Sequence, residues 1–208
     1  LRLDRNERVS AWGKDFLTDI FSNKPDWFMS VYPEMDPLYQ KLSEFLKISK
    51  EKILLTSGID GGIKTILEIC TNTGDSIGVL SPTYAMYKVY SNIFQLNLEE
   101  ISYTKDLKTN FHLIYEFLET NPKILFIPNP NQPIEDTLSY DQLSEICKFA
   151  EYKKCLVVVD EAYHHFGADS AINLVNEYQN VIVARTFSKA FGVPSIRLGF
   201  LVSSIENM

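Results

Sequence analysis

A chain of 208 residues, 45% of them hydrophobic and 23% charged, is long enough to bury a full core, which argues against a disordered or repeat-built protein. The formal net charge of -7, without any cluster of Lys and Arg, argues against a nucleic-acid or acidic-membrane surface, because both need concentrated positive charge. These bounds favour one globular domain, with or without an arm, that acts on a small molecule.

The three cysteines, Cys70, Cys147 and Cys155, lie inside apolar patterns and show neither a C-x-x-C pair nor metal-ligand spacing. We therefore predict reduced core residues, no metal site and a cytoplasmic protein. No apolar run approaches the roughly 20 residues of a membrane span, and residues 1–4 lack the profile of a signal peptide. The chain starts without Met and stops after a strand-like segment, which suggests part of a longer protein.

The first predicted element is an amphipathic helix from Pro37 to Leu46. Leu38, Leu42 and Phe45 recur there at steps of three and four residues, which is typical of one helix face. Asp36 is predicted to cap this helix.

Strands and helices alternate through the rest of the chain. The predicted strands are Ile53–Thr56, Ile77–Leu80, Ile124–Ile127, Leu156–Val159, Val181–Ala184 and Leu198–Val202. The intervening helices have one apolar side: Ile63, Ile66, Leu67 and Cys70 in the first, Met86, Val89 and Ile93 in the second, and Leu143, Ile146, Cys147 and Ala150 in the third. Continuous apolar strands are buried on both faces, so the alternation predicts an α/β fold with a mostly parallel sheet.

Ligands in such folds bind beyond the carboxyl ends of the strands, so the residues after each strand form the candidate site. They read Ser57-Gly58-Ile59-Asp60-Gly61, Ser81-Pro82-Thr83-Tyr84, Asn129-Pro130-Asn131-Gln132-Pro133, Asp160-Glu161-Ala162-Tyr163 and Thr186-Phe187-Ser188-Lys189-Ala190-Phe191-Gly192. Taken singly, each motif has an ordinary structural explanation, such as a tight turn, a helix cap, a core tyrosine or a solvated lysine.

Together and in this order, the motifs resemble the site of fold-type I aminotransferases, most closely the histidinol-phosphate aminotransferase group. The most specific piece is Lys189, which lies 29 residues after Asp160 and eight before Arg197. The resemblance implies a three-layer α/β/α large domain of the aspartate aminotransferase type over residues 32–208. It also implies an N-terminal arm, or part of a small domain, over residues 1–31, and a C-terminal small domain that is absent from this chain.

The resemblance implies pyridoxal 5'-phosphate as cofactor, held by Lys189 as a Schiff base. The reaction would transfer an amino group between an amino acid or phosphorylated amino compound and a 2-oxo acid. Asp160 would keep the ring nitrogen protonated, and Tyr163 would donate a hydrogen bond to the phenolic oxygen. Gln132 stands where the family has its ring-contacting amide, and Tyr84 where it has its stacking ring.

The implied phosphate site combines one cation with hydroxyl and amide groups. Its members are Arg197, Thr186, Ser188 and the backbone of Ile59, Asp60 and Gly61. Tyr32 is similar to a family tyrosine that reaches the phosphate of the partner chain, which implies a homodimer. The other interpretation of Tyr32 is a core tyrosine at a turn.

The chain departs from the family pattern in one loop and one helix. Asn131-Gln132-Pro133-Ile134-Glu135 replaces the usual Asn-Asn-Pro-Thr-Gly, and Gly61 stands where an acidic residue is common. The resemblance still predicts a cis Gln132–Pro133 bond. The segment that would carry the substrate-binding Arg is missing, so two other functions stay open: decarboxylation of a phosphorylated amino acid with the same cofactor, and a non-catalytic ligand-binding or dimerisation module.

Overall fold

A computed structural model describes residues 5–208, so the predicted lack of a signal peptide at residues 1–4 lies outside the described residues. The chain divides into two compact units, one ending at Lys50 and one from Glu51 to Met208. The division into an arm over residues 1–31 and a large domain over residues 32–208 stays a prediction.

The first unit is built from short helices. They are α1 (Lys14–Ser22), a 3-10 turn (Phe28–Ser30) and α2 (Asp36–Leu46). Helix α2 matches the predicted helix, but Asp36 is its first residue and Met35 is the N-cap, so the predicted cap is wrong. The Asp36 carboxylate instead accepts hydrogen bonds from Gln40 Nε2 (2.9 Å) and Lys50 Nζ (2.8 Å).

The second unit contains a seven-stranded sheet with helices in its connections. The strands are β1 (Ile53–Thr56), β2 (Ser76–Ser81), β3 (Asn97–Ser102), β4 (Ile124–Pro128), β5 (Leu156–Asp160), β6 (Val181–Thr186) and β7 (Gly199–Ser203). The α-helices are α3 (Gly58–Cys70), α4 (Met86–Ile93), α5 (Phe111–Glu119) and α6 (Tyr140–Tyr152). Short 3-10 turns occur at Lys50–Lys52, His164–Phe166, Ile172–Asn176, Pro194–Ile196 and Ile205–Asn207. Within residues 5–208, no helix has the length and apolar character of a membrane span.

The strand order is β1-β7-β6-β5-β4-β2-β3. Strands β2 to β6 pair in parallel, whereas β7 is antiparallel to both β6 and β1. Gly199, which begins β7, is therefore in register with Thr56 and Thr186, which end β1 and β6. The predicted mostly parallel sheet is confirmed, and the start of the reversed β7 shares an edge with the ends of its neighbours.

Helices cover both faces of the sheet. Alternate residues of the central strands pack in one core cluster with Ile63 and Leu67 of α3 and Tyr87 of α4. Helices α5 and α6 pack together on the opposite face, where a Cβ added to Gly78 would collide with the ring of Phe117. This arrangement confirms the predicted α/β/α layers.

The apolar side predicted for α4 is not the side that packs on the sheet. Val89 and Ile93 are exposed, whereas Tyr87 and Ser91 are buried. These two polar side chains can be buried because each hydroxyl finds a partner, Asp160 for Tyr87 and the carbonyl of Lys88 for Ser91.

Candidate active site

Predicted site residues from several segments of the second unit lie at one edge of the sheet. Asp160 ends β5 and Thr186 ends β6, while Asp60 lies in the first turn of α3, directly beyond β1. Arg197 precedes β7 instead of following a strand, and it reaches this edge because β7 is reversed. The sheet therefore brings the motif after β1, which contains Asp60, to the same edge as Arg197 near the end of the chain.

Asp160 is a buried carboxylate, 6% exposed, with hydrogen bonds to both oxygens. Its Oδ2 accepts from the Tyr87 hydroxyl at 2.5 Å, and its Oδ1 accepts from the Ala162 N–H at 2.9 Å. Burial raises the pKa of Asp160 to about 6, although the two hydrogen bonds act in the opposite direction. The charges of Asp60 and Glu161 add to the increase in this pKa. Such a carboxylate is suited to partnering a cationic nitrogen.

The Asp60 side chain links Tyr84 to Arg197. The Tyr84 hydroxyl donates to Asp60 Oδ1 at 2.7 Å, and Arg197 Nη2 lies 3.3 Å from Asp60 Oδ2. Burial, followed by the hydrogen bond to Asp60, raises the pKa of Tyr84, so its phenol stays a protonated donor. Only the Asp60 backbone had a predicted role, so this use of the Asp60 side chain could not be foreseen from the sequence motif.

Gly58 lets the Arg197 guanidinium approach the start of α3. Gly58 has φ +67°, and a Cβ there would lie 2.8 Å from Arg197 Nη2. Helix α3 begins at Gly58, so Ile59 and Asp60 provide backbone amides in its first turn. The Gly61 N–H already donates to the Ser57 carbonyl at 3.3 Å.

The segment after β6 carries the predicted lysine and two hydroxyls. Ser188 N–H donates to Thr186 Oγ1 at 3.2 Å, and the Thr186 and Ser188 hydroxyls lie 3.1 Å apart. Lys189 Nζ lies 5.5 Å from the centre of the Tyr163 ring, close enough for a cation–π contact. The structure thus brings Lys189 and Tyr163, both predicted catalytic residues, next to each other.

The loop that carries Gln132 is fixed by the buried Asn131, which had no predicted role. Thr83 Oγ1 donates to Asn131 Oδ1 at 2.7 Å, and Asn131 Nδ2 donates to the Pro82 carbonyl at 2.9 Å. These bonds tie this loop to the one that carries Tyr84. The Gln132–Pro133 bond is cis, as predicted, and Gln132 itself is exposed.

Glu135, where the family usually has glycine, adopts a left-handed backbone with φ +61°. The loop after β4 therefore keeps a conformation that favours glycine although the residue has changed. The Glu135 N–H donates to the Asn131 carbonyl at 2.9 Å, and this hydrogen bond closes the turn.

A buried ion pair on the other face of the sheet supports the end of β5. Arg185 Nε donates to Glu161 Oε2 at 2.7 Å, and the Ala171 N–H donates to Glu161 Oε1 at 2.5 Å. Neighbouring strand residues point to opposite faces, so Asp160 and Glu161 of one motif have different surroundings. Glu161, which had no predicted role, is therefore a structural carboxylate, whereas Asp160 lies with the predicted site residues.

Tyr32 belongs to the first unit and is 97% exposed. The interpretation as a core tyrosine is therefore wrong, because a core side chain contacts its neighbours on all sides. Its proposed contact with a partner chain stays a prediction.

Residues 22–206 match the family model described as aminotransferase class I and II. This match covers most of the chain. The chain belongs to this family. A histidinol-phosphate aminotransferase of Clostridium novyi (strain NT) is 31% identical over 208 residues, which cover 98% of this chain and 57% of the relative. This class I and II aminotransferase chain thus spans little more than half the length of the curated relatives that it matches.

Several solved aminotransferase structures share the fold of this chain. Histidinol-phosphate aminotransferase from Sinorhizobium meliloti, in complex with pyridoxal-5'-phosphate, superposes with a TM-score of 0.86 at 24% identity and covers 97% of this chain and 55% of that one. A Thermus thermophilus aspartate aminotransferase double mutant superposes with a TM-score of 0.72 at 19% identity, over 81% of this chain and 46% of that one. The predicted aspartate aminotransferase-like fold is therefore confirmed.

Proposed function

We propose that this chain forms the cofactor site of a pyridoxal-phosphate-dependent aminotransferase. The reaction moves an amino group between an amino acid or phosphorylated amino compound and a 2-oxo acid. The observation that carries the proposal is the position of Lys189, Asp160 and Arg197 at one sheet edge of a class I and II aminotransferase chain. A phosphorylated substrate is supported by relatives named histidinol-phosphate aminotransferase.

The residues at this edge fit the three polar parts of the cofactor. Thr186, Ser188 and Arg197 offer two hydroxyls and a guanidinium to the phosphate. A guanidinium has five N–H donors, so the contacts of Arg197 with Asp60 and the Pro194 carbonyl leave others available.

The other two parts of the cofactor are the ring nitrogen and the aldehyde. The buried Asp160 carboxylate suits the ring nitrogen, because a carboxylate stabilises a protonated nitrogen beside it. The amine of Lys189, next to the Tyr163 ring, suits the aldehyde.

When bound, pyridoxal phosphate supplies a ring that accepts the electrons of the substrate Cα–H bond. Lys189 would hold the aldehyde end of the cofactor, and its free amine would move a proton at the substrate Cα. Asp160 keeps a proton on the ring nitrogen. Tyr163 and Gln132 would donate hydrogen bonds to the phenolic oxygen, and Tyr84 would pack on the ring face.

This function is tested by incubating the native protein and cofactor with amino acids and phosphorylated amino compounds, each paired with a 2-oxo acid. We expect a new carbonyl compound from the donor and a new amino acid from the acceptor, without release of carbon dioxide. Release of carbon dioxide in place of amino transfer would favour the decarboxylase. Ligand binding without any reaction would favour the non-catalytic module.

We also propose a cytoplasmic location, since the described cysteines are all free. Burial raises the pKa of Cys147 and of Cys155 to about 12, so both thiols stay protonated and unreactive. The prediction that these two are core residues is confirmed, whereas Cys70 is only half-buried.

We further propose a homodimer in which Tyr32 donates a hydrogen bond to the phosphate bound by the partner chain. The exposure of Tyr32 supports this role, because its hydroxyl is accessible to a second chain. Tyr32→Phe is expected to weaken cofactor binding roughly 10- to 100-fold, the usual effect of one hydrogen bond to a charged group, without preventing dimer formation. Equilibrium dialysis measures this change, and the exposed Tyr152 gives a matched control, because Tyr152→Phe should bind cofactor like the parent.

Mixing two defective variants tests whether the site is shared. In a mixed dimer of Tyr32→Ala and Lys189→Ala chains, one site receives both defects and the other receives none. Random pairing should restore about a quarter of the parent turnover at a cofactor concentration where each variant alone is inactive. Mixed dimers that form without any turnover would contradict the shared site.

A further inference from the structure

We propose that Tyr87 is a positioning residue of the cofactor site, whose buried hydroxyl keeps the Asp160 carboxylate ionised and oriented toward the ring nitrogen. This inference rests on the proposed function, since it assigns Tyr87 a role toward the same cofactor. Tyr87 lies outside every predicted site motif, although it is only three residues after Tyr84.

The position of the Tyr87 hydroxyl is fixed by packing. Tyr87 is 1% exposed and belongs to the core cluster beneath α4. Its ring centre lies 4.9 Å from that of Phe126 in a tilted contact, and the Tyr84 ring meets it edge-on at 6.3 Å. The hydroxyl is therefore held toward Asp160 Oδ2, at 2.5 Å, with little rotational freedom.

The bond from Tyr87 leaves room for the cofactor on Asp160. An ionised carboxylate has about four acceptor positions, two on each oxygen. Tyr87 takes one on Oδ2, and the Ala162 N–H takes one on Oδ1. Each oxygen thus keeps a position for a ring N–H, so Tyr87 supports the contact without competing for it.

The Tyr87 hydroxyl lowers the pKa of Asp160, whereas most other influences on this carboxyl raise it. Burial raises the pKa of Asp160, and the charges of Asp60 beyond β1 and Glu161 beside it act in the same direction. Tyr84, whose hydroxyl donates to Asp60, also faces this region. The hydrogen bonds from Tyr87 and the Ala162 amide are what lower this pKa.

Removal of the Tyr87 hydroxyl would change where one proton resides. Asp160 without this donor would have a higher proton affinity, so the proton shared with a bound ring nitrogen would move from the nitrogen to the carboxylate oxygen. The ring then loses its positive charge and accepts electrons less readily. Tyr87 therefore acts on the reaction through Asp160 and need not touch the substrate.

The first part of the test uses cofactor-free protein labelled with ¹³C at the aspartate carboxyl carbons. NMR follows the Asp160 carboxyl through a pH titration, and Asp160→Asn identifies its resonance. Tyr87→Phe is expected to raise the Asp160 midpoint by roughly one to two pH units. Tyr90→Phe, on the same helix and packed against the same core cluster, should leave the midpoint unchanged.

The second part uses the cofactor-loaded protein. Tyr87→Phe is expected to lower kcat roughly tenfold with KM within twofold, because the defect lies in the proton at the ring and not in substrate binding. The pH midpoint of the bound cofactor's absorption change should also move from the parent value, whereas Tyr90→Phe should keep both properties.

An Asp160 midpoint that is the same in Tyr87→Phe and the parent would overturn the proposal. A shifted midpoint with unchanged kcat and unchanged absorption would overturn it equally. A parent protein that binds no cofactor would overturn the proposed function and with it the role of Tyr87. The cofactor-free titration distinguishes this failure from a missing effect of Tyr87 on Asp160, because it needs no cofactor. Should Tyr87→Phe not fold, the test uses Tyr87→3-fluorotyrosine, whose hydroxyl is a more acidic donor. This variant is expected to lower the midpoint of the Asp160 titration. An unchanged midpoint would refute the inference.

Discussion

Lys189→Ala is expected to abolish turnover, with a loss on the order of 10⁴-fold or more. The reason is that one amine has two tasks, binding the cofactor aldehyde and moving the proton at the substrate Cα, and a methyl group performs neither. Noncovalent cofactor binding should persist in part, because Asp160, Arg197 and the neighbouring hydroxyls remain. Initial rates of amino transfer and the cofactor content after gel filtration measure the two effects separately.

Lys148, an exposed lysine of α6, provides the matched control. Lys148→Ala removes the same charge and the same side-chain length, so it should keep the parent's turnover and cofactor content. A Lys189→Ala protein that still turns over at a tenth of the parent rate would contradict the assigned mechanism.

Asp160→Asn is expected to lower turnover by roughly 10²- to 10³-fold, the usual cost of removing one electrostatic partner from a reacting group. The change is isosteric, and the Asn oxygen can still accept the hydrogen bond from Tyr87. The neutral amide cannot hold a proton on the ring nitrogen, so the ring becomes a weaker electron acceptor. Steady-state kinetics should show the loss in kcat, with KM changed much less.

The same substitution should stabilise the cofactor-free protein at neutral pH. The folded-state pKa of Asp160 is raised to about 6 from its ordinary value of 3.8. The contribution of Asp160 to the stability of the fold is therefore complete below about pH 4 and is lost as the pH rises through about 6. At pH 7.5 Asp160→Asn should raise the free energy of unfolding by about 1–3 kcal/mol relative to the parent. At pH 4 the two proteins should differ much less.

Urea denaturation at the two pH values measures this difference, and Asp106→Asn at an exposed position is the control that should show none. The contrary result is a free energy of unfolding that falls below that of the parent at pH 7.5 and not at pH 4. It would mean that the buried carboxylate stabilises the cofactor-free fold. A lower turnover together with a higher free energy of unfolding is the result expected when a buried charge serves the reaction and not the stability of the fold.

Most of the sheet could be predicted from the sequence because its central strands are continuous apolar runs. Strand β3 could not, since it lies at the sheet edge and carries the charged Glu99 and Glu100 in place of such a run. The reversal of β7 also escaped prediction, because strand direction depends on long-range pairing that no local pattern records.

The candidate site was predictable where residue type and strand end coincide, as at Asp160 and Lys189. It was not predictable where a contact joins distant segments. Tyr87 and Asp160 are 73 residues apart, and Asp60 and Arg197 are 137 apart. The buried side of α4 carries Tyr87, which packs on Phe126 and donates a hydrogen bond to Asp160, so counting apolar residues selected the wrong side.

The role of Lys189 is tested most directly by reducing the cofactor-loaded native protein with borohydride and mapping the modified peptide by mass spectrometry. Trypsin cleaves after Arg185 and Arg197 but not at a modified lysine, so we predict the cofactor mass on one peptide, residues 186–197, with fragmentation placing it on Lys189. The Lys189→Ala protein should carry no label on this peptide. Cofactor fixed to another lysine, or a reduced protein without any label, would contradict the assignment.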